Sequence, residues 1–269
     1  MGVRLAAFAA AAALATPASF VQGRQEAGGG FAEPGGKPTP GLTAWAALGL
    51  RAAGKPVDAA VLAYLVVGEE QAKTASDVAL AVAAESVLGG ATPSLVRRLH
   101  AYERPSGAIG PTLNSTAWGV LALRQAGESI PAATSRYLLG KQARSGGWSW
   151  IAGGPPDADD TAAVVESLRA LGVRGKPIRR ALAYLRRRQL GDGGFAAQPG
   201  AGSNVQSTAW AIQAFLAAGA EPGQRAFAYL KRMRRRDGSL RYSARYGTTP
   251  LWVTAQALPA LAHKPFPLR

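Results

Sequence analysis

Along the chain one arrangement of apolar and polar positions keeps returning: an apolar pair, three residues, a Gln-like residue, three residues, a glycine, any residue, and then an aromatic or large apolar residue. It reads Phe20-Val21…Gln25…Gly29-x-Phe31, Tyr137-Leu138…Gln142…Gly146-x-Trp148 and Tyr184-Leu185…Gln189…Gly193-x-Phe195. Leu99…Glu103…Gly107-x-Ile109 and Tyr229-Leu230…Arg234…Gly238-x-Leu240 keep the spacing and replace the Gln, while Tyr64-Leu65…Glu69 has lost the glycine. Most copies lead into Thr-Ala followed by apolar positions, at Thr43-Ala44, Thr116-Ala117, Thr161-Ala162, Thr208-Ala209 and Thr254-Ala255. The pattern predicts a unit of helix, glycine loop and helix.

The second helix of each unit is apolar nearly all round, as in Thr208 with Ile212 and Phe215, so it belongs inside. The first helix buries only one face. Residues 181–189, with Arg186, Arg187 and Arg188 spread round the helix, place it outside. From Ser19 onward the chain divides into six units of about 42 residues, a length typical of helical-pair repeats. No unit covers its own apolar face, so neighbours must stack, either as an open superhelix or as a closed ring.

The first 18 residues, MGVRLAAFAAAAALATPA, read as a secretory leader, with Arg4, an apolar run from Leu5 to Ala15, and small residues at Thr16 and Ala18 before the cut. A mature chain from Ser19 to Arg269, secreted or otherwise outside the cytoplasm, is expected. Composition narrows the chemistry. With 48% hydrophobic residues the chain can build a core, and with no cysteine it has no disulfides, thiol nucleophile or thiolate zinc site. Two histidines far apart, His100 and His263, leave little for a metal centre or a charge-relay triad, so no metal and no cofactor are expected.

The Gln…Gly-x-Trp/Phe units resemble the "QW" repeats of the squalene cyclase and protein prenyltransferase superfamily. That resemblance covers essentially the whole mature chain and implies an all-α (α/α)6 toroid built from six helix pairs. It also implies a structural role for Gln25, Gln142 and Gln189 and for the aromatics Phe31, Trp148 and Phe195. The zinc-dependent prenyltransferase branch is excluded, because it needs a cysteine ligand.

Asp157-Ala158-Asp159-Asp160-Thr161-Ala162 is similar to the D-x-D-D-T-A motif of class II terpene cyclases, which protonate an alkene or epoxide to start a carbocation cascade. By position the resemblance implies Asp159 as the proton donor, supported by Asp157 and Asp160. Clustered carboxyls can share a proton, and the start of a helix favours the anion left behind. The sister repeats offer a second reading. Aligned on Thr, the three acids correspond to Asn204, Gln206 and Ser207 and to Thr112, Asn114 and Ser115, which are cap-type residues and amides. Cap and catalytic acid both stand at this point. Trp45, Trp118, Trp210 and Trp252 are candidates to line a central cavity, where their faces would stabilise a cation; in a helical repeat they could equally be packing.

Charge is polarised: residues 135–269 carry 21 Lys and Arg against 7 Asp and Glu, out of a net +15 for the chain. Arg186 to Arg188 and Lys231 to Arg236 predict a basic stripe on successive outer helices, able to meet an anionic lipid or cell-wall surface. No nucleic-acid motif accompanies it, and nucleic acid is not an expected partner. The expected function is binding of an apolar isoprenoid-like small molecule in the central cavity, with class II cyclase-like protonation by Asp159. The competing expectation is a non-catalytic scaffold for a ligand or a cell surface, the use cobalamin carriers make of the same ring.

Overall fold

The computed structural model describes residues 15–268, so the leader expected at the N-terminus lies largely outside the described residues. Helices alternate along the chain: α1 (Pro17–Gln22), α2 (Pro40–Ala52), α3 (Ala59–Gly68), α4 (Ala75–Leu88), α5 (Pro93–His100), α6 (Leu113–Gln125), α7 (Ala132–Gly140), α8 (Ala158–Ala170), α9 (Lys176–Arg186), α10 (Val205–Ala217), α11 (Gln224–Arg232) and α12 (Pro250–Leu261). The even-numbered helices form an inner ring, each packed on the next, and α12 packs back on α2. The ring is closed. The odd-numbered helices lie outside it, and α1 touches both α12 and α2, so the first and sixth units meet.

The division into inner and outer helices follows the expected polarity. On α6 every residue from Ser115 to Leu123 is buried, whereas α9 buries Ile178, Ala181, Leu182, Tyr184 and Leu185 and leaves Arg179 and Arg186 exposed. α9 ends at Arg186, earlier than expected, because the chain turns into its glycine loop through Arg187 and Arg188.

The Thr of Thr-Ala has a defined task. Its hydroxyl accepts the backbone N–H of the residue that ends the glycine loop: Thr43 from Phe31 (2.9 Å), Thr116 from Ile109 (3.1 Å), Thr161 from Trp148 (2.9 Å), Thr208 from Phe195 (2.9 Å) and Thr254 from Leu240 (2.8 Å). The second unit tests the rule. It has a 3₁₀ turn (Glu69–Gln71) in place of the glycine loop, and Val78 occupies the Thr slot on α4. Thr161→Val keeps the shape and leaves the N–H of fully buried Trp148 unpaired, which should cost about 1–3 kcal/mol in denaturant unfolding. A loss of a few tenths would show that the hydroxyl is dispensable.

The loop glycines make the stacking possible. Gly146 (φ 97°) and Gly238 (φ 89°) are left-handed, and a Cβ there would lie 2.5 Å from the Arg180 carbonyl oxygen and 2.4 Å from that of Thr16. Each loop therefore sits against the start of the next outer helix, and in the sixth unit that helix is α1. Gln142 Nε2 donates to the carbonyls of Gly146 and Pro177, both at 2.9 Å, and so ties the loop to α9. Two residues of the expected basic stripe also bind here, Arg187 donating to the Ser145 carbonyl (2.7 Å) and Arg232 to the Asp192 carbonyl, and Arg225, outside that stripe, donates to the Gly191 carbonyl.

Candidate functional site

Inner helices of equal register expose the same two positions to the ring axis. Counting from the Thr slot, two residues before it stand Gly41, Ser76, Asn114, Asp159, Gln206 and Trp252, and two after it stand Trp45, Leu80, Trp118, Ala163, Trp210 and Gln256. These positions are four apart, so they lie on one helix face, one turn above the other. All but Gly41 line a single central cavity of about 480 Å³, together with Asp77, Trp150, Asp157, Asp160, Ala197 and Gln198. Its mouth is at the N-terminal ends of the inner helices.

The lower tier forms the floor by alternation. Large rings on α2, α6 and α10 alternate with smaller side chains on α4, α8 and α12, and Trp45, Trp118 and Trp210 meet edge to face with centroids 5.1, 5.5 and 6.1 Å apart. Phe266 of the C-terminal segment closes the axis, 5.7 Å from Trp118 and 6.1 Å from Trp210. The segment is held by Glu166, which accepts the Phe266 N–H at 2.7 Å. On α8 the floor position is Ala163, the smallest in the tier, which leaves space directly under Asp159.

The three acids have different surroundings. Asp157 is the N-cap of α8, and its Oδ1 accepts the Asp160 N–H at 2.8 Å, as Asn204 caps α10 through the Ser207 N–H. Asp160 is buried and accepts from Asn114 Nδ2 at 2.7 Å. It does not reach back to cap the helix, as Ser115 does on α6. The expected capping role thus falls to Asp157 alone. Asp159 lines the cavity, and its Oδ1 is sealed from solvent without a hydrogen-bond partner among the described residues.

Burial pushes the Asp159 carboxyl up to about 6; the Ser207 hydroxyl beside it lowers it and the Asp157 charge raises it. Asp160 is also raised, first by burial and then by its hydrogen bond to Asp157 and that group's charge, against the Asn114 amide. Both acids therefore hold their protons to higher pH than an ordinary aspartate, as desolvation and neighbouring carboxyls require.

All four tryptophans expected at a cavity line this one, and so do all three aspartates. Sequence reasoning missed Asp77, Asn114, Gln206 and Gln256 as lining residues. The slot count finds each of the last three; Asp77 hides because its repeat has neither glycine loop nor Thr-Ala. His100 pairs with Glu103 on the exterior (2.9 Å), and His263 stacks on Phe227, so neither histidine reaches the acids.

The arrangement is a closed helical toroid with an acidic cluster above an aromatic-floored cup. No protein-family model matches the chain, and no curated protein matches it in sequence. Solved structures do resemble it. A variant of the type II terpene cyclase MstE from Scytonema, with geranylgeranyl dihydroxybenzoate as substrate, superposes with a TM-score of 0.67 at 16% identity over 91% of this chain and 94% of that one. Protein geranylgeranyltransferase-I of Candida albicans gives 0.65 at 13% identity, over 82% and 83% of the two chains. ent-Copalyl diphosphate synthase from Streptomyces platensis gives 0.64 at 19% identity over 83% of this chain, which spans only 50% of that enzyme. These likenesses establish the fold: the toroid of terpene cyclases and prenyltransferases.

Proposed function

We propose that this protein binds a linear isoprenoid in its central cavity and cyclises it by protonation, with Asp159 as the acid. The observation that carries the reading is the placement of Asp159: a half-buried side chain whose Oδ1 is sealed from solvent, raised to about 6, on the wall of a cup floored by tryptophans and open beneath it at Ala163. A cavity of about 480 Å³ falls in the size range of small-molecule sites. MstE, on the same fold, holds a geranylgeranyl substrate.

In the proposed step the Asp159 O–H bond breaks and its proton forms a C–H bond with the terminal alkene. The alkene π pair makes that bond, and the positive charge left on carbon adds to the next alkene. Faces of Trp45, Trp118, Trp210 and Trp252 stabilise successive cations. The last cation loses a proton to water, and the Asp159 carboxylate is reprotonated from solvent, so substrate and product are isomers and the acid is restored. Incubation with linear polyprenes, followed by mass-spectrometric analysis of the products, should give cyclic isomers of unchanged mass; recovery of the polyprenes alone from folded protein would overturn the catalytic reading. Ala163→Phe should fill the cup and abolish turnover while the ring stays folded. Turnover unaffected by it would place the chemistry elsewhere.

The scaffold reading is supported at Asp157, whose cap is the same as that of Asn204 in the next unit. Capping does not account for Asp159, which bonds no backbone group.

Export is part of the proposal, resting on Arg4 and the apolar run that follows it. Thr16 is the cap of α1 in a box with Ser19, and its carbonyl packs on Gly238 at the ring seam. Mass spectrometry of protein from the native host should find a mature start near Ser19; intact chain in the cytoplasm would overturn export.

A further inference from the structure

We infer, resting on the isoprenoid reading above, that the ligand is a neutral polyprene with an uncharged hydroxyl-bearing end, and not a prenyl diphosphate. The wall of the cavity decides this. It carries four carboxyls, Asp77, Asp157, Asp159 and Asp160, and among the described residues that line it none is lysine, arginine or histidine. The chain's large excess of base lies on its exterior, where arginines bind loop carbonyls. A diphosphate in this cup would lose its hydration beside the Asp77 and Asp157 carboxylates, and no cationic side chain in the wall would compensate.

Two escapes are open to a diphosphate. Carboxyls could hold it through a divalent cation; among the described residues no three acidic or imidazole side chains come together as a cation site, so that route would rest on one or two wall carboxylates, and the magnesium arm of the binding test reads it directly. The head could instead leave the cup. A second groove of about 490 Å³ adjoins the cavity, since Ala197 lines both. One arginine, Arg245, lines that groove, and Asp192 lines it too, so the groove offers no net positive charge.

What the groove does offer is hydroxyl and aromatic surface from Tyr229, Tyr242 and Tyr246. Tyr229 is 1% exposed, and its hydroxyl has no partner among the described residues, whereas Tyr184, one repeat earlier, donates to the Pro156 carbonyl at 2.6 Å. Burial pushes the Tyr229 phenol up to about 12, so it remains a donor at any physiological pH. A neutral alcohol or phenol suits such a groove, and its polyprene tail then runs past Ala197 toward Asp159.

The test uses the quenching of tryptophan fluorescence by geranylgeraniol and by geranylgeranyl diphosphate, each with and without magnesium. The alcohol should bind at least about tenfold more tightly than the diphosphate, with no change on adding magnesium. A diphosphate bound as tightly as the alcohol, in either condition, overturns the inference and leaves the isoprenoid reading standing. If neither quenches, both fail. In the double substitution Asp77→Asn and Asp157→Asn, which preserves amide caps, the preference should narrow severalfold; an unchanged preference in a variant of native circular dichroism would overturn the electrostatic cause.

Discussion

Asp159→Asn is expected to leave the ring intact and to lower polyprene turnover by about 10²–10⁴-fold, the range over which a positioned acid acts. The amide matches Asn114 and Gln206, which occupy the same slot on α6 and α10, so the fold already accepts it. It cannot deliver a proton. The same group sets two pH dependences. On the proposed reading the acid form of native Asp159 disappears as pH rises through about 6, so turnover should fall above that value. Stability moves the same way. The folded carboxyl sits near 6 against 3.8 in an unfolded chain, so the folded state binds the extra proton. The stabilisation is fully present below about pH 4 and is lost as pH rises through about 6, to an extent of about 3 kcal/mol. Thermal unfolding of the wild type should therefore occur at lower temperature at pH 8 than at pH 5, with a smaller difference in Asp159→Asn. Equal differences would show that Asp159 is solvated, and a variant retaining full turnover would remove it as the acid.

Most of the architecture was legible because each repeat spells out a contact that only particular residues can make. Gly146 must be left-handed and free of a Cβ to meet α9, and Thr161 must carry a hydroxyl to take the Trp148 N–H. Their spacing predicts a loop between two helices in five of the six units, while the closure of the ring is seen only in the packing of α12 on α2. The place of the acidic cluster was legible at Asp157, Asp159 and Asp160 because three acids occur there together at the start of an inner helix. What stayed hidden depends on closure. Glu33 accepts the N–H groups of Leu251 and Trp252, both at 2.9 Å, across the seam from the far end of the chain. No local pattern marks Glu33 as a helix cap. Phe266 was visible only as part of a proline-rich end, and its place under the axis follows from the bond to Glu166 on α8. Glu166 itself, wholly buried and raised well above an ordinary glutamate by that burial, stands among alanines and valines that gave no hint of its partner. The division of tryptophans between packing and lining was likewise undecidable from sequence, since Trp118 does both.

Trp118→Ala should have the largest effect on stability of any substitution in the cup, about 3–5 kcal/mol. Trp118 is 7% exposed and meets every other aromatic ring of the floor: Trp45 at 5.1 Å, Trp210 at 5.5 Å and Phe266 at 5.7 Å between centroids. Removing it deletes three aromatic contacts and joins the cup to the space under Phe266. The alternate residues cannot fill that gap, because Leu80 and Ala163 are short and Gln256 is committed through its Oε1 to Trp210 Nε1 (3.2 Å) and Gln206 Nε2 (3.1 Å). Ring closure makes relaxation harder still: inner helices moving inward on one side must separate from outer helices on the other. Trp118→Phe keeps an edge-to-face partner and should recover more than half of the loss in a denaturant titration. Near-ultraviolet circular dichroism gives an independent reading, since three mutually perpendicular indoles should couple strongly and the alanine variant should lose most of that signal. If alanine costs less than about 1 kcal/mol, the tryptophans merely line a floor that the helices hold unaided, and the α2, α6 and α10 alternation is a property of the ligand site and not of the fold.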